Sequence, residues 1–454
     1  MTTFYIEQFG CRATQADGAA IERQLRDRGC TAVRESRAAD VVVLNTCTVT
    51  AAADAQARDA IRKIHSANPA ARIIVTGCYA QRSPEEIAAL PGVTFVVGNS
   101  HRPQIPTLIE SLPAVPAFPQ REDPVPHHSA SIVTGDIFAA TDVLVAPVLG
   151  GEGNHTRPTL KIQDGCNSRC SFCVIPFVRG KSRSLPVRTV LSEIRRLSES
   201  GFREIVLSGI NLGTYGRDLT PRVEFLDVLR KILDETPVER LRISSIEPLD
   251  VTEDLIDLFA GQGRLAPHFH MPLQSASDRI LAAMHRWYRA EHYSRRVELI
   301  RNALPHAALG ADVLTGFPGE SEDDHAATVR FIEERPFTYL HVFSYSPRPG
   351  TKAAGLSNQI PGRIVKRRAR ALRVLTDRKS AEFRQSQVGR TLQVLTLHRS
   401  ANDPASTPAL SENYLSVTIP GVLPHNQWLT VRAVRADGRH LIGLRQPEAV
   451  SLGA

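Results

Sequence analysis

No stretch of the 454 residues is apolar over the length a bilayer requires. The opening MTTFYIEQFG also lacks the basic segment running into a hydrophobic one that marks export. A cytoplasmic protein without a membrane partner is therefore expected. Cysteine is scarce and odd in number, seven in all, which in a long chain without an export signal argues for metal ligation or redox chemistry over a disulfide framework. Neither sign of charge dominates: 55 Lys+Arg stand against 47 Asp+Glu, a moderately basic balance compatible with a nucleic-acid partner. What is present is enough apolar material, 42% of residues, to build cores for about three domains of ordinary size.

The first hundred residues repeat one unit. FYIEQFGC, DVVVLNTC and RIIVTGC each place a cysteine (Cys11, Cys47, Cys78) just after a β-branched, apolar run, and such runs read as buried strands. Helical patterns follow each, so a parallel sheet with right-handed crossovers is expected. Its strands end along one edge, where the three cysteines converge near helix N-termini that favour thiolates. Residues 1–110 thus form an α/β domain, and 111–157, rich in Pro, Ala, Gly and His, read as a linker.

From 158 to 388 six strand-like runs alternate with helical patterns: TLKIQDG, REIVLSG, LRISSI, HFHMPLQ, LGADVLTGF and YLHVFSY. A seventh and eighth unit are missing, which implies a partial (β/α)6 barrel open on one side. Arg363 to Arg390 carries ten Lys/Arg against two acidic residues, on a helix whose stripe Val365, Ala369, Leu372, Leu375 faces the body. Residues 389–454 switch to short strands, TLQVLTL, NYLSVTI, WLTVRAV and RHLIGLR, as in a small β-barrel. The polar SANDPASTPAL is read as part of its first hairpin.

Directly after the first barrel strand comes GCNSRCSFC, with Cys166, Cys170 and Cys173 spaced C-x3-C-x2-C. Zinc sites need a second C-x2-C pair or histidines, and no second pair exists. Three thiolates on one loop at a barrel mouth suit a 4Fe-4S cluster with one iron left for a small molecule. With Phe172 before the last cysteine, the motif resembles that of the radical S-adenosylmethionine enzymes, in which the open iron chelates S-adenosylmethionine and its reductive cleavage yields a 5′-deoxyadenosyl radical. Across nearly the whole chain, the three-cysteine domain, the barrel and a TRAM-like end resemble the methylthiotransferases. That resemblance implies two 4Fe-4S clusters, the second on Cys11, Cys47 and Cys78 presenting the sulfur to be installed. It further implies a S-adenosylmethionine pocket lined by Phe172, by Ser208, Gly209 and Asn211, by Ser244 and Glu247, by Gln274 and Ser275, and by Asp312 and Thr315. Cys30 fits neither triad and is read as a small buried residue. His268 and His270, two apart on a strand, share a face and are read as lining or packing.

The phrases around the cysteine loop, LSGINLGTYG and RISSIEP resemble most closely the branch acting on tRNA N6-threonylcarbamoyladenosine. Isopentenyladenosine in tRNA and a ribosomal-protein aspartate are the alternatives. A non-enzymatic iron–sulfur RNA-binding module would explain the cysteines and the basic helix, but not six strand ends and two open coordination sites. A monomer is expected, and neither the sulfur donor nor the electron donor follows from the sequence.

Overall fold

The computed structural model describes residues 2–112, 130–144, 147–148, 156–399, 403 and 405–446. Six strands form an all-parallel N-terminal sheet: β1 (Thr3–Gln8), β2 (Thr31–Ala32), β3 (Val41–Thr46), β4 (Arg72–Gly77), β5 (Val93–Gly98) and β6 (Ser131–Val133), ordered β2-β1-β3-β4-β5-β6. Helices α1 (Arg12–Asp27), α2 (Ala51–Ala67), α3 (Cys78–Arg82), α4 (Pro84–Ala88) and α5 (Ile105–Glu110) complete the domain. All six residues of β3 are buried, as a central strand covered on both faces requires. One core gathers Leu44, Ile61 and Tyr79, and the other Phe4, Ile21 and Ile105. The segment read as a linker is thus not all linker, since Ser131–Val133 pairs with Phe95–Val97 at the sheet edge. Three residues are too few to show a period. Residues 113–129, 145–146 and 149–155 of that segment lie outside the described residues.

The central body contains β7 (Pro147–Val148), β8 (Thr159–Lys161), β9 (Gln163–Asp164), β10 (Arg183–Ser184), β11 (Glu204–Ser208), β12 (Arg240–Ile243), β13 (His268–His270), β14 (Ala308–Thr315) and β15 (Tyr339–Ser344). Parallel pairing runs β8-β11-β12 and β13-β14-β15, with a Leu241–Leu265 bridge joining the halves, while β7 lies antiparallel on β8. All six expected strands form, and the barrel stays open between β15 and the β7–β8 edge. Around it stand α6 (Ile175–Arg179), α7 (Val187–Glu199), α8 (Phe225–Glu235), α9 (Glu253–Gly261), α10 (Asp278–Ala283), α11 (Ala290–Ala303), α12 (Glu322–Glu334) and α13 (Gly362–Ser386). Ile205, Leu207, Leu241, Ile243, Ala311 and Val313 pack with helix residues such as Ile194, Leu229 and Ile300. Because side chains alternate along a strand, Ser208, Arg242, Ser244 and Asp312 face the other way, into the barrel.

The stripe of α13 is buried as expected. Arg368 joins it, pairing with Glu320 at 2.7 Å, and Lys379 donates to the carbonyls of Glu333 and Arg335 at 2.6 and 2.8 Å. Part of the basic run therefore anchors the helix, leaving Lys366 and Arg370 exposed. The last unit is a closed barrel of five strands, β16 (Thr391–Thr396), β17 (Ser406–Ser411), β18 (Ser416–Pro420), β19 (Trp428–Asp437) and β20 (His440–Arg445). β17 arises within SANDPASTPAL, where Ala409 and Leu410 are buried and the Pro408 carbonyl accepts the Leu397 N–H at 2.7 Å.

Candidate functional site

Adjacent parallel strands carry Cys11, Cys47 and Cys78 to one sheet edge. Cys11 precedes α1, Cys47 follows β3 and Cys78 opens α3. Gly10 makes room: its φ is +102°, and a Cβ there would lie 2.9 Å from Cys47 Sγ. Each sulfur meets a donor or hydroxyl, Cys11 at Thr14 Oγ1 (3.6 Å), Cys47 at the Val49 N–H and Cys78 at Asn99 Nδ2 (3.6 Å).

The second triad follows β9. Cys166 accepts the Ser168 N–H and Cys170 accepts Arg286 Nη1, each at 3.4 Å, and Cys173 accepts the Ile175 N–H. Arg286 also pairs with Glu247, so one guanidinium ties the cysteine loop to the end of the third barrel strand, β12. Phe172 packs against the cluster of Ile280, Met284 and Phe317.

Proximity to helix N-termini does not favour free thiolates as expected. Burial, reinforced by Cys78, pushes the Cys47 thiol up to about 12. Burial likewise raises Cys78, and burial with Cys170 takes Cys173 to about 12. A macrodipole reaches only about a turn and is outweighed by desolvation here. Bound metal removes that penalty by taking the proton's place. Six thiols in two sets of three, every one facing a donor suited to a sulfur carrying negative charge, fit two four-iron clusters. Cys30 sits apart, half-buried against the core of Phe4 and Ile21.

The remaining pocket candidates divide. Ser208 and Ser244 face the barrel interior, and Gly209 lies against Gln163, whose Oε1 accepts the Asn211 N–H at 2.8 Å. Asn211 Oδ1 is buried and has no partner among the described residues, an acceptor left open at a strand end. Gln274 has φ of +58° and its N–H bonds the Asp312 carbonyl at 2.8 Å. Ser275 turns away, its hydroxyl 3.3 Å from Thr328 of α12. Thr315 is fully buried and lies an odd number of residues from Asp312, hence on the opposite face of β14.

Deeper in the barrel, Asp312 Oδ1 accepts from His270 Nε2 (3.0 Å) and His341 Nδ1 (3.3 Å). Tyr339 Oη bridges His268 Nε2 (2.7 Å) and His270 Nδ1 (3.0 Å), which makes the histidine pair lining as read. Tyr339 lies over Gly310, where a Cβ would be 2.1 Å from its ring. Below, Tyr414 of the C-terminal barrel stacks on His268 with centroids 4.3 Å apart, beside Arg242, which pairs with Glu204 at 2.8 Å. Arg12, next to Cys11, donates to Tyr414 Oη at 3.3 Å.

A buried ion network joins the two α/β units. Arg179 bonds Asp17 and Asp164 at 2.8 Å each, Lys161 bonds Asp164 at 2.8 Å and also Asp17, and Arg102 reaches both carboxylates. Burial alone would raise Asp17 and Asp164, but these three cations hold both below the usual carboxylate range. Sequence reading missed Arg12, Arg286, His341, Tyr414 and this network. Most of their partners are distant in the chain, Lys161–Asp164 being the local exception, and only the spacing of polar residues two apart on the strands hinted at a polar interior.

Residues 3–98 match the family described as "Uncharacterized protein family UPF0004", and residues 160–332 match the radical SAM superfamily. The chain is 37% identical over 416 residues to the threonylcarbamoyladenosine tRNA methylthiotransferase MtaB of Aquifex aeolicus (strain VF5), covering 91% of this chain and 96% of that protein. The MtaB of Bacillus subtilis (strain 168) is 35% identical over 427 residues, covering 93% and 91%. The tRNA-2-methylthio-N(6)-dimethylallyladenosine synthase of Thermobifida fusca (strain YX) is 36% identical over 397 residues, covering 87% and 77%. Among solved structures, the radical S-adenosylmethionine methyltransferase TsrM of Kitasatospora setae superposes with a TM-score of 0.55 at 16% identity over 78% of this chain and 74% of that one, a likeness of fold. The chain belongs to the methylthiotransferase family of radical S-adenosylmethionine enzymes, in the branch of the MtaB proteins.

Proposed function

We propose that this enzyme adds a methylthio group to carbon 2 of N6-threonylcarbamoyladenosine beside the anticodon of tRNA, acting as a cytoplasmic monomer. Its working parts are an N-terminal domain (1–110, completed by the edge strand Ser131–Val133), the rest of 111–157 as a connecting segment, the radical barrel (158–388) and a TRAM-like barrel (389–454). The observation that carries the reading is the pair of donor-lined thiol triads flanking one polar barrel interior. Cys166, Cys170 and Cys173 would hold one 4Fe-4S cluster, and Cys11, Cys47 and Cys78 the other. When bound, these clusters supply the electron that cleaves S-adenosylmethionine and the sulfur that is transferred.

The chain's own residues bind and orient. Arg286 fixes Cys170 and holds Glu247 at the mouth, where Ser208, Asn211 and Ser244 offer hydrogen bonds to a bound S-adenosylmethionine. Tyr339 and Tyr414, with ring centroids 5.7 Å apart, close the floor of the barrel and would keep water from a substrate held above them. Exposed Lys366 and Arg370 offer phosphate contacts to the RNA. The dimethylallyladenosine named for the Thermobifida fusca relative is the second reading of the substrate. Nucleoside mass spectrometry of tRNA from cells lacking and regaining the gene decides: 2-methylthio-N6-threonylcarbamoyladenosine should vanish and return. Its persistence in the deletion refutes the assignment.

A further inference from the structure

The barrel interior holds a hydrogen-bonded chain built on the pocket candidate Asp312, and the histidines in it are used by neither the clusters nor the S-adenosylmethionine reading. A carboxylate only accepts, so both imidazoles donate to Asp312 Oδ1, His270 through Nε2–H and His341 through Nδ1–H. Tyr339 and His268 back up His270 from behind. The consequence falls on His341. Its Nδ1 is committed, so its Nε2 is the outward end of the chain, on a side chain 57% exposed. Phe343, two residues on and on the same strand face, is 43% exposed and offers a ring for stacking a base.

Arg12 supplies the second half. Its side chain leaves the N-terminal triad and reaches Tyr414 Oη, and it lies close enough to His268 and Tyr339 to bear on both. Among the described residues no carboxylate pairs with it. A half-buried guanidinium with one neutral partner retains donors in a geometry matched to a carboxylate.

Resting on the substrate reading above, we propose that Arg12 and His341 form the subsite for the N6 substituent. Arg12 takes its carboxylate and His341 Nε2 accepts its ureido N–H, so the pair selects a polar, acidic substituent over an apolar one. The threonylcarbamoyl group carries both features, and an isopentenyl group carries neither. Setting an apolar chain against these groups would leave a guanidinium and an imidazole unpaired, which is how a polar site rejects an isostere strongly.

The test uses the anaerobically reconstituted enzyme and two anticodon stem-loop RNAs, identical except for N6-threonylcarbamoyl or N6-isopentenyl on the target adenosine. Wild type acting only on the isopentenyl RNA would overturn the substrate reading before any variant is made. With that reading standing, Arg12→Met and His341→Phe should each raise KM and Kd for the threonylcarbamoyl RNA roughly 10- to 100-fold, the loss of one charge-assisted or buried hydrogen bond. Discrimination against the isopentenyl RNA should narrow, and Arg12→Lys and His341→Gln should recover part of the binding. Iron content is read for every variant. If Arg12→Met loses iron, His341→Phe, on a strand that contributes no cysteine to either triad, carries the test alone. KM and Kd within twofold of wild type, or an equal loss on both RNAs, overturns the proposal.

Discussion

Substituting two members of the buried network that joins the N-terminal domain to the barrel separates charge balance from bond counting. Three cations, Arg102, Lys161 and Arg179, face two carboxylates, Asp17 and Asp164, and every side chain is at most 3% exposed. Arg179→Met removes two bonds of 2.8 Å, the best-formed pair in the group. It leaves two cations facing two anions. Asp17→Asn leaves three cations facing one anion, all of them buried. Counting bonds, the arginine change costs more, since the amide oxygen that Asp17→Asn introduces can stand in the place of Oδ2 and still accept from Arg102 and Arg179, so that only the Lys161 bond is lost. Counting charge, the aspartate change does, because an uncompensated buried charge costs about 3–5 kcal/mol while a balanced loss refilled by an apolar side chain of similar length costs about 1–3 kcal/mol. We expect Asp17→Asn to lose about 2 kcal/mol more than Arg179→Met, read from the first transition in anaerobic urea unfolding followed by far-UV circular dichroism, with m-values compared because several domains unfold. Equal losses, or a larger loss for Arg179→Met, would refute the charge argument.

Cys47→Ala should keep cleavage of S-adenosylmethionine to 5′-deoxyadenosine while losing the methylthio product, whereas replacing Cys166, Cys170 and Cys173 together should halve the iron and abolish cleavage; both products are quantified from one reaction. Lys366→Ala with Arg370→Ala should lower the log–log salt slope of tRNA binding by roughly two, and adding Arg367→Ala should change it little, since Glu322 already pairs Arg367 at 2.6 Å. For Glu204, burial would raise the carboxyl, but Arg242 and Arg157 pull it down from 4.5 to about 2. A depressed folded value gives stability that is present above pH 4.5 and lost as pH falls toward 2, up to about 3 kcal/mol. Glu204→Gln should flatten the acid limb of the stability profile in that window, and an unchanged limb would refute the pairing.

The elements legible in the sequence are those whose signal is local. VVVLNT can only be a buried strand, and GCNSRCSFC declares its thiols in nine residues. β17 was missed because its buried positions are Thr, Ala, Leu and Ser around Pro408, so its hydrophobic alternation is faint. Lys161 stands inside an apolar run and Asp17 inside an alanine-rich helix; each looks misplaced until the other is 144 residues away in sequence and bonded to it in space. Of the pocket candidates, parity along the strand separates Asp312 from Thr315, a distinction that depends on where β14 begins. Arg286 gave no signal because its partners, Cys170 and Glu247, belong to other strand ends.

Tyr414 bears on how the C-terminal barrel is to be regarded. It sits in the left-handed region (φ +67°) on a turn that reaches under the neighbouring barrel, where Asn413 Nδ2 donates to the His306 carbonyl at 3.1 Å and Arg242 to the Ser411 carbonyl at 3.3 Å. A unit that looks like a detachable RNA-binding appendage is therefore also a stopper. Deleting it to ask whether it binds RNA would uncork the reaction chamber, so lost activity in a truncated enzyme would not measure RNA affinity. Modularity fails in the same way for chimaeras: a C-terminal barrel grafted from a relative must bring a ring that fits over His268, or the recipient inherits an open drain.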